Sequence, residues 1–191
     1  MKIMLEINFH PFKTLYTERL ILRRLTENDL ETIFKLRSNP ELMKYIPRPL
    51  VQTLEDAKTH YKMIEDKIEN NVGINWGIAL KDEPEKAFGI IGHYRISQEN
   101  YRSEIGYMIL DEYSGKGFVT EAIDVILDYG FNDLKLHSIE AIIDPDNIAS
   151  EKVLIKSGFV KEAHILENEY FEGKFWDTVI YSILRRNYKK K

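Results

Sequence analysis

The hydrophobic and polar positions of this chain predict a series of short strands separated by amphipathic helices. Apolar residues alternate with polar ones near the start, which is the pattern of a short leading strand. The alternating residues are Ile3, Leu5, Ile7 and Phe9. Seven further short apolar runs, bounded by turn residues, are predicted as strands. They cover residues 20–25, 74–80, 87–96, 103–110, 137–144, 160–168 and 175–184.

Four helices are predicted between these strands. The first begins at a capping box formed by Thr26 and Asp29 and ends before Pro40. The second covers about 53–70, with its apolar residues recurring on one face. The third follows a Gly-x-Gly turn, and the fourth covers 147–157. This order of elements indicates one mixed α/β domain without internal repeats.

The Gly-x-Gly turn is the most informative motif in the chain. It precedes a predicted helix, whose start presents amide N–H groups without helical partners at the positive end of the helix dipole. Glycines let the backbone approach an anion closely because no Cβ stands in the way. The motif predicts a site for a phosphate-bearing ligand, with an ordinary turn as the alternative. The candidate residues are Ser114, Gly115, Lys116, Gly117, Phe118, Val119 and Thr120.

The commoner phosphate-binding loops are excluded by the residues around this turn. A Walker loop needs glycine where this chain has Leu110, and serine or threonine where it has Gly117. A dinucleotide fingerprint needs a third glycine where this chain has Thr120. The turn therefore predicts a different kind of phosphate site.

Composition and charge narrow the function further. The 191 residues suit one domain, and 43% hydrophobic with 30% charged residues is typical of a folded chain. A net charge of −4 argues against nucleic-acid binding, so the basic ending is interpreted as a solvated tail. The absence of cysteine excludes disulfides, thiolate metal sites and cysteine nucleophiles. With neither a signal peptide nor a membrane-spanning run, we expect no membrane association and a cytoplasmic location.

Several short motifs occur in the order found in one known superfamily. They are 17–23 (TERLILR), 104–107 (EIGY), 115–122 (GKGFVTEA), 147–150 (NIAS), 156–159 (KSGF), Gly173-Lys174, Asp177 and Tyr181. Taken together over about 15–184, the chain resembles the GCN5-related N-acetyltransferase (GNAT) superfamily. Within it, the chain is most similar to the Rim-type ribosomal-protein N-terminal acetyltransferases.

The resemblance implies a fold and a reaction. The fold would be a mixed, mostly antiparallel sheet flanked by about four helices, with a V-shaped split between the fourth and fifth core strands. The acetyltransferase domain would cover 15–188, after an N-terminal extension (1–14) with a short strand and before a basic tail (189–191). Acetyl-CoA would be the co-substrate, with no metal, and the acetyl group would pass directly to an amine. A homodimer is a further expectation.

Two positions depart from the family's loop. Glu112 stands where the family has glutamine or arginine, and Phe118 stands where a tyrosine is often found. Because the loop would bind through backbone N–H groups, the first departure matters less than the loss of a glycine would.

Glu104 is the candidate general base. It lies near the start of the strand that leads into the loop, and the resemblance places it at the mouth of the acceptor cleft. The alternative is a solvent-facing strand residue in a charged rim. A direct transfer needs a base because the amine must be neutral, and a peptide α-amine has a reference pKa of ~7.7–8.0.

Ser150 is the candidate for hydrogen bonding to the CoA sulfur, with a first-turn residue facing water as the alternative. Many family members use a tyrosine in this helix, but none lies between Asn147 and Gly158. Asn147 could contact the cofactor, cap the helix, or do both. The backbone groups of Met108, Ile109 and Leu110 would meet the pantetheine arm and the acetyl carbonyl.

Other polar residues are interpreted as structural or solvated. Lys116 could approach a phosphate, although a solvated loop lysine is the simpler interpretation, and Glu121 is expected to be structural. The five histidines show no metal-ligand spacing. Glu167, Glu169 and Glu172 could attract a cationic acceptor, but a solvated hairpin tip is the simpler interpretation.

The acceptor remains open at this stage. A protein N-terminal amine is our first prediction, and a polyamine, aminoglycoside or amino-acid amine is the second. A CoA-binding module without chemistry is a third possibility from a different functional class. It would keep the glycine loop but would need neither Glu104 nor Ser150.

Overall fold

The strands form one eight-stranded sheet in a computed structural model that describes residues 4–189. They are β1 (Leu15–Tyr16), β2 (Leu20–Arg23), β3 (Ile74–Leu80), β4 (Ala87–Ser97), β5 (Arg102–Ile109), β6 (Ser138–Ile143), β7 (Val160–Phe171) and β8 (Lys174–Leu184). Their spatial order is β1-β2-β3-β4-β5-β6-β8-β7. Neighbouring strands are antiparallel except β5 and β6, which are parallel. The predicted mixed α/β fold is confirmed.

The described residues contain five α-helices rather than four. They are α1 (Leu30–Ser38), α2 (Pro40–Met43), α3 (Leu54–Glu69), α4 (Phe118–Asp128) and α5 (Ile148–Lys156). The unpredicted helix is α2, a single turn that starts at a proline. Its start is capped by Asn39, whose side chain accepts hydrogen bonds from the amides of Glu41 and Leu42. Proline at the first position favours a helix start, so Pro40 both follows α1 and begins α2.

The predicted V-shaped split lies between β5 and β6. These are the fourth and fifth core strands when the two-residue strand β1 is not counted. Three residue pairs join them, Arg102 to Ser138, Ser103 to Ile139 and Glu104 to Glu140. β5 then continues to Ile109 without a partner on that side among the described residues. Backbone groups along this edge of β5 therefore face an opening rather than a ladder.

Aromatic and aliphatic side chains fill the core between the sheet and the helices. Trp76 of β3 is fully buried between Phe12 and Tyr129, with ring centroids 5.7 and 5.1 Å away. Its indole N–H donates to the Lys13 carbonyl at 2.8 Å, so the polar end of the ring is satisfied. α4 buries the stripe that includes Ile123 and contacts β2 and β4, which fixes the start of this helix against the sheet.

The predicted leading strand does not form in its described part, residues 4–12. Leu5 and Phe9 are buried in the core, but Leu5 donates its amide to Gln98 O and Phe9 donates to Asn71 Oδ1. The alternation of apolar and polar residues therefore reflects the burial of Leu5 and Phe9 and not the hydrogen bonding of a strand. Ile3 lies outside the described residues, as do the last two lysines of the tail.

Candidate active site

The opening between β5 and β6 continues into a cavity of about 530 Å³. Residues of α1, α3, β4, β5, β6, the start of α5 and the β7–β8 hairpin line it. The candidates Glu104, Met108, Asn147 and Ser150 are among the lining residues. Sequence motifs far apart along the chain therefore meet in one place.

Glu104 is buried, with 4% of its surface exposed, and it forms part of the cavity lining. The Tyr94 hydroxyl donates a hydrogen bond to Oε1, and Arg95 Nη1 lies 3.1 Å from Oε2. Burial raises the pKa of Glu104, and the Tyr94 hydrogen bond and the Arg95 charge offset only part of that rise. A carboxylate with a raised pKa is a stronger base than an exposed one, which suits proton abstraction from an ammonium group.

A β-bulge brings two side chains of β4 onto Glu104. The β4–β5 register shifts between His93 and Arg95, so Tyr94 has no directly opposed partner in β5. Such an extra residue redirects its neighbours, which lets both Tyr94 and Arg95 reach the same carboxylate. The sequence indicated a strand here but gave no sign of the bulge.

Ser150 lies beside a second half-buried tyrosine, Tyr107 of β5. The Tyr107 hydroxyl is buried and has no well-aligned hydrogen-bond partner among the described residues. Burial raises the pKa of Tyr107 to about 12, and the Ser150 hydroxyl offsets part of that rise. The phenol therefore stays protonated at neutral pH and keeps an uncommitted donor at the cavity wall.

The start of α5 is fixed by two side chains. Asn147 is its N-cap, and its Oδ1 accepts a hydrogen bond from the Ser150 amide at 3.1 Å. Glu151 accepts a hydrogen bond from the hydroxyl of Tyr181, a buried residue of β8. These contacts hold Ser150 in place, and they show that Asn147 has a capping role besides lining the cavity.

The Gly-x-Gly turn lies outside the cavity and forms the start of α4. Gly115 and Gly117 have φ values of 72° and 81°, which favour glycine, and Gly117 is the N-cap. The first helical bond runs from the Glu121 amide to the Gly117 carbonyl. The amides between these residues therefore precede the helix ladder and point toward its open end, as a phosphate group requires. Residues 114–117 are exposed, Phe118 is buried, and Val119 and Thr120 are half-buried.

Arg19 and Glu121 brace this turn from the side. Arg19 lies 2.7 Å from Glu121 Oε2, donates to the Lys116 carbonyl at 3.1 Å and covers the Phe118 ring at 4.5 Å. Thr17 also donates to the Glu121 carboxylate. Glu121 is thus occupied by structural contacts. Lys116 is exposed, with its ammonium group 5.4 Å from the Tyr113 ring centroid.

Two remaining candidates sit differently from Met108. Ile109 and Leu110 do not line the cavity, and the Leu110 amide donates to Phe88 O at 2.9 Å, which commits it within the sheet. At the hairpin, Glu169 lies 3.5 Å from Arg48 Nη2, so its charge is partly balanced within the protein.

Comparison with known proteins identifies the family. The sequence pattern of the acetyltransferase (GNAT) domain family matches residues 19–160. The chain belongs to the GNAT family. It is an N-acetyltransferase, like its relatives. One relative is the uncharacterized N-acetyltransferase YoaA of Bacillus subtilis (strain 168), 37% identical over 91% of this chain and 98% of YoaA.

Two solved GNAT structures are named for different kinds of acceptor amine. The Vibrio cholerae spermidine N-acetyltransferase, solved with CoA and spermine, is 26% identical over 88% of this chain and 96% of its own, with a TM-score of 0.77. The ribosomal-protein-S5-alanine acetyltransferase of Vibrio fischeri is 26% identical over 93% and 99%, with a TM-score of 0.79. Both kinds of acceptor thus occur among the relatives of this GNAT enzyme.

No helix within residues 4–189 is long and apolar enough to cross a membrane. The same residues contain no cluster of three or more histidine, aspartate or glutamate side chains arranged to hold a metal ion.

Proposed function

We propose that this enzyme transfers the acetyl group of acetyl-CoA directly to a primary amine, with a protein N-terminal amine, such as that of a ribosomal protein, as the first candidate acceptor. The observation that carries this proposal is Glu104, a buried carboxylate with a raised pKa where β5 and β6 separate. The Vibrio fischeri relative supports a protein acceptor, and the Vibrio cholerae relative supports a small amine as the second candidate.

The cofactor-binding residues of the proposal follow from the start of α4. The amides of residues 114–120 would bind the CoA pyrophosphate, since they precede the helix ladder and meet no Cβ at the two glycines. Met108 and Ile109 would offer backbone groups to the pantetheine arm along the unpaired edge of β5. Leu110 would contribute least of the three, because its amide donates to Phe88 O and its carbonyl accepts the Tyr113 amide at 3.0 Å.

The proposed reaction moves one acetyl group and two protons. Glu104 removes a proton from the acceptor ammonium, directly or through a water, and the neutral nitrogen attacks the thioester carbonyl carbon. A C–N bond forms as the C–S bond breaks, and the sulfur leaves as a thiolate. Ser150 donates a hydrogen bond to that sulfur, and the Tyr107 hydroxyl, which has no other partner among the described residues, would then donate to Ser150 Oγ. The ammonium loses two protons in becoming an amide. The first passes through Glu104 to solvent, and the second leaves the nitrogen as the C–S bond breaks and balances the proton gained by the released thiol.

Replacing Ser150 by alanine should lower kcat by about tenfold to a hundredfold, because a hydrogen bond to the departing thiolate contributes ~1.5–3 kcal/mol. Acetyl-CoA affinity should hardly change. Tyr107→Phe should act in the same direction, and the double variant should lose less than the product of the two single losses. Steady-state thiol release measures kcat. Ser157→Ala, at the other end of α5 and away from the cavity, is the matched control. An equal loss in that control would contradict the assignment.

A panel of acceptors tests the proposed function. Free thiol released from acetyl-CoA is measured with peptides that carry a free N-terminus, with the same peptides blocked at the N-terminus, and with small amines including spermidine. Turnover that requires a free peptide N-terminus supports the first acceptor. Turnover restricted to small amines replaces it by the second. Saturable CoA binding without thiol release from any amine would overturn the proposal.

Three further expectations remain predictions. They are the domain bounds at 15 and 188, the cytoplasmic location and the homodimer.

A further inference from the structure

Four basic side chains line the cavity that contains Glu104, and one of them has no acidic partner or strong hydrogen bond. The lining bases are Arg37, Arg48, Lys67 and Arg95. Arg95 pairs with Glu104, Arg48 lies 3.5 Å from Glu169, and Lys67 donates to the Tyr94 carbonyl at 3.1 Å. Among the described residues, Arg37 meets no carboxylate. Its Nε is buried without a hydrogen-bond partner, and its Nη1 reaches only the Met108 sulfur at 4.0 Å.

The acidic residues of the cavity are all engaged elsewhere. Glu104 and Glu169 face Arg95 and Arg48, and Asp177 is 2.8 Å from His164. Asp144 accepts the amide of Asp146 in its own turn. None of these carboxylates forms an ion pair with Arg37, so its guanidinium is locally unpaired although the four basic and four acidic lining residues balance in number.

The fold gains nothing from an isolated charge in this position. Burial lowers the pKa of Arg37, and the nearby charge of Arg48 lowers it further. A guanidinium nevertheless remains protonated at neutral pH. The neighbouring His60 offers no compensation, because burial, followed by the charges of Arg37 and Lys67, lowers its pKa to about 4 and leaves it neutral. Arg37 is half-buried, and a partly desolvated cation without a protein partner costs stability that a ligand anion would recover.

We infer that Arg37 is the binding site for an oxyanion, a carboxylate or a phosphate, carried by the acceptor amine. This inference rests on the proposed function and specifies its acceptor class. Met108, which contacts Arg37, belongs to the stretch of β5 proposed to lie along the thioester arm. The oxyanion therefore binds within a few atoms of the reacting nitrogen. Amines such as an amino acid, or a peptide with an acidic residue next to its N-terminus, have this spacing. A polyamine has the opposite charge.

Matched acceptor pairs that differ only in the anion test this inference. The carboxylate arm compares an amino acid with its amide, and a peptide with glutamate at its second position with the glutamine version. The phosphate arm compares phosphoethanolamine with ethanolamine. We expect kcat/KM to favour the anionic member by about tenfold to a hundredfold in at least one arm, the range of a charge-assisted hydrogen bond. The arm with the larger ratio identifies the source of the anion.

The Arg37→Gln variant should abolish that preference by raising KM for the anionic acceptor, with the neutral acceptor unchanged. Arg37→Lys should restore part of it, because it keeps the charge but loses the fork of donors. Arg186→Gln, the same change at an exposed site outside the cavity, is the control. Because Arg37 has no acidic partner, Arg37→Gln should unfold at a temperature equal to or above that of the wild type, which separates loss of recognition from loss of folding.

A binding measurement keeps the test independent of turnover. Inorganic phosphate is titrated calorimetrically into protein saturated with CoA, so that the loop at the start of α4 is already filled. Weaker phosphate binding in Arg37→Gln than in Arg186→Gln supports the inference even if no amine is acetylated. Equal phosphate binding in these two variants, or an anion preference that survives Arg37→Gln, would overturn it. Failure of the proposed function alone would appear as absent thiol release with an intact difference in phosphate binding.

Discussion

Replacing Glu104 by glutamine lowers kcat for acetyl transfer by about 10²–10⁴-fold, the usual contribution of a positioned general base. The affinity for acetyl-CoA stays unchanged, because Glu104 lines the cavity and the loop at the start of α4 lies outside it. Glutamine keeps the shape and the hydrogen-bonding capacity toward Tyr94 but cannot accept the proton. Initial rates of thiol release at saturating co-substrate, together with calorimetric CoA binding, measure both quantities.

Glu140→Gln is the matched control for this variant. Glu140 stands opposite Glu104 in the β5–β6 register, but it does not line the cavity. Its carboxylate pairs with Arg102 instead. Its loss should leave kcat at neutral pH within a few-fold of the wild type. A fall of less than threefold in Glu104→Gln, or an equal fall in Glu140→Gln, would exclude Glu104 as the base.

The pH dependence gives the same residue a second signature. The pKa of Glu104 is raised above the ordinary glutamate value of 4.5, so the acid limb of kcat should lie above pH 4.5 and should vanish in Glu104→Gln. The folded state binds this proton more tightly than the unfolded chain does. Its contribution to stability is therefore fully present below the unfolded pKa and is lost as the pH rises through the folded pKa. Glu104→Gln should then be at least as stable as the wild type at neutral pH.

Replacing Gly117 by alanine weakens CoA binding by at least about tenfold, since charge-assisted hydrogen bonds to phosphate contribute ~1.5–3 kcal/mol each. Gly117 has a φ of 81° at the N-cap of α4, a conformation that strains an alanine by ~1–2 kcal/mol. When the backbone relaxes to relieve that strain, the amide N–H groups before Glu121 no longer point toward one phosphate position. Calorimetric titration with CoA measures the change in affinity.

Gly173→Ala separates cofactor binding from backbone strain. Gly173 has the same φ of 81° in the β7–β8 turn, and an added Cβ would meet nothing within 4 Å. Both variants should lose similar thermal stability, but only Gly117→Ala should lose CoA affinity. Unchanged affinity in Gly117→Ala, or an equal loss in Gly173→Ala, would contradict the proposed pyrophosphate site.

The sequence predicted the elements well where local rules decide them. The capping box at Thr26, the helix after Gly117 and the cap at Asn147 all appear as predicted, because each depends on residues only a few positions apart. The leading strand was wrong because alternation records burial and not hydrogen bonding, and Leu5 and Phe9 are buried without a ladder. The helix α2 was missed because proline was interpreted only as a stop.

The site was predictable only in part. Gly115, Gly117, Glu104 and Ser150 could be selected from the sequence and a family resemblance, although their roles remain proposals. The surroundings of Glu104 depend on a bulge in β4, and the meeting of Tyr107 with Ser150 joins residues distant in sequence. Arg37 could not be selected at all, since its distinction is the lack of a partner among its three-dimensional neighbours.

The three residue pairs that join β5 to β6 have a mechanical consequence. The strands β1–β5 on one side and β6–β8 on the other can tilt apart beyond these pairs without breaking any further hydrogen bond between β5 and β6. A bulky ligand can therefore enter the opening without the loss of any strand pairing. Glu104 belongs to the last of the three pairs, so it sits at the pivot, where displacement is smallest while the two sides spread.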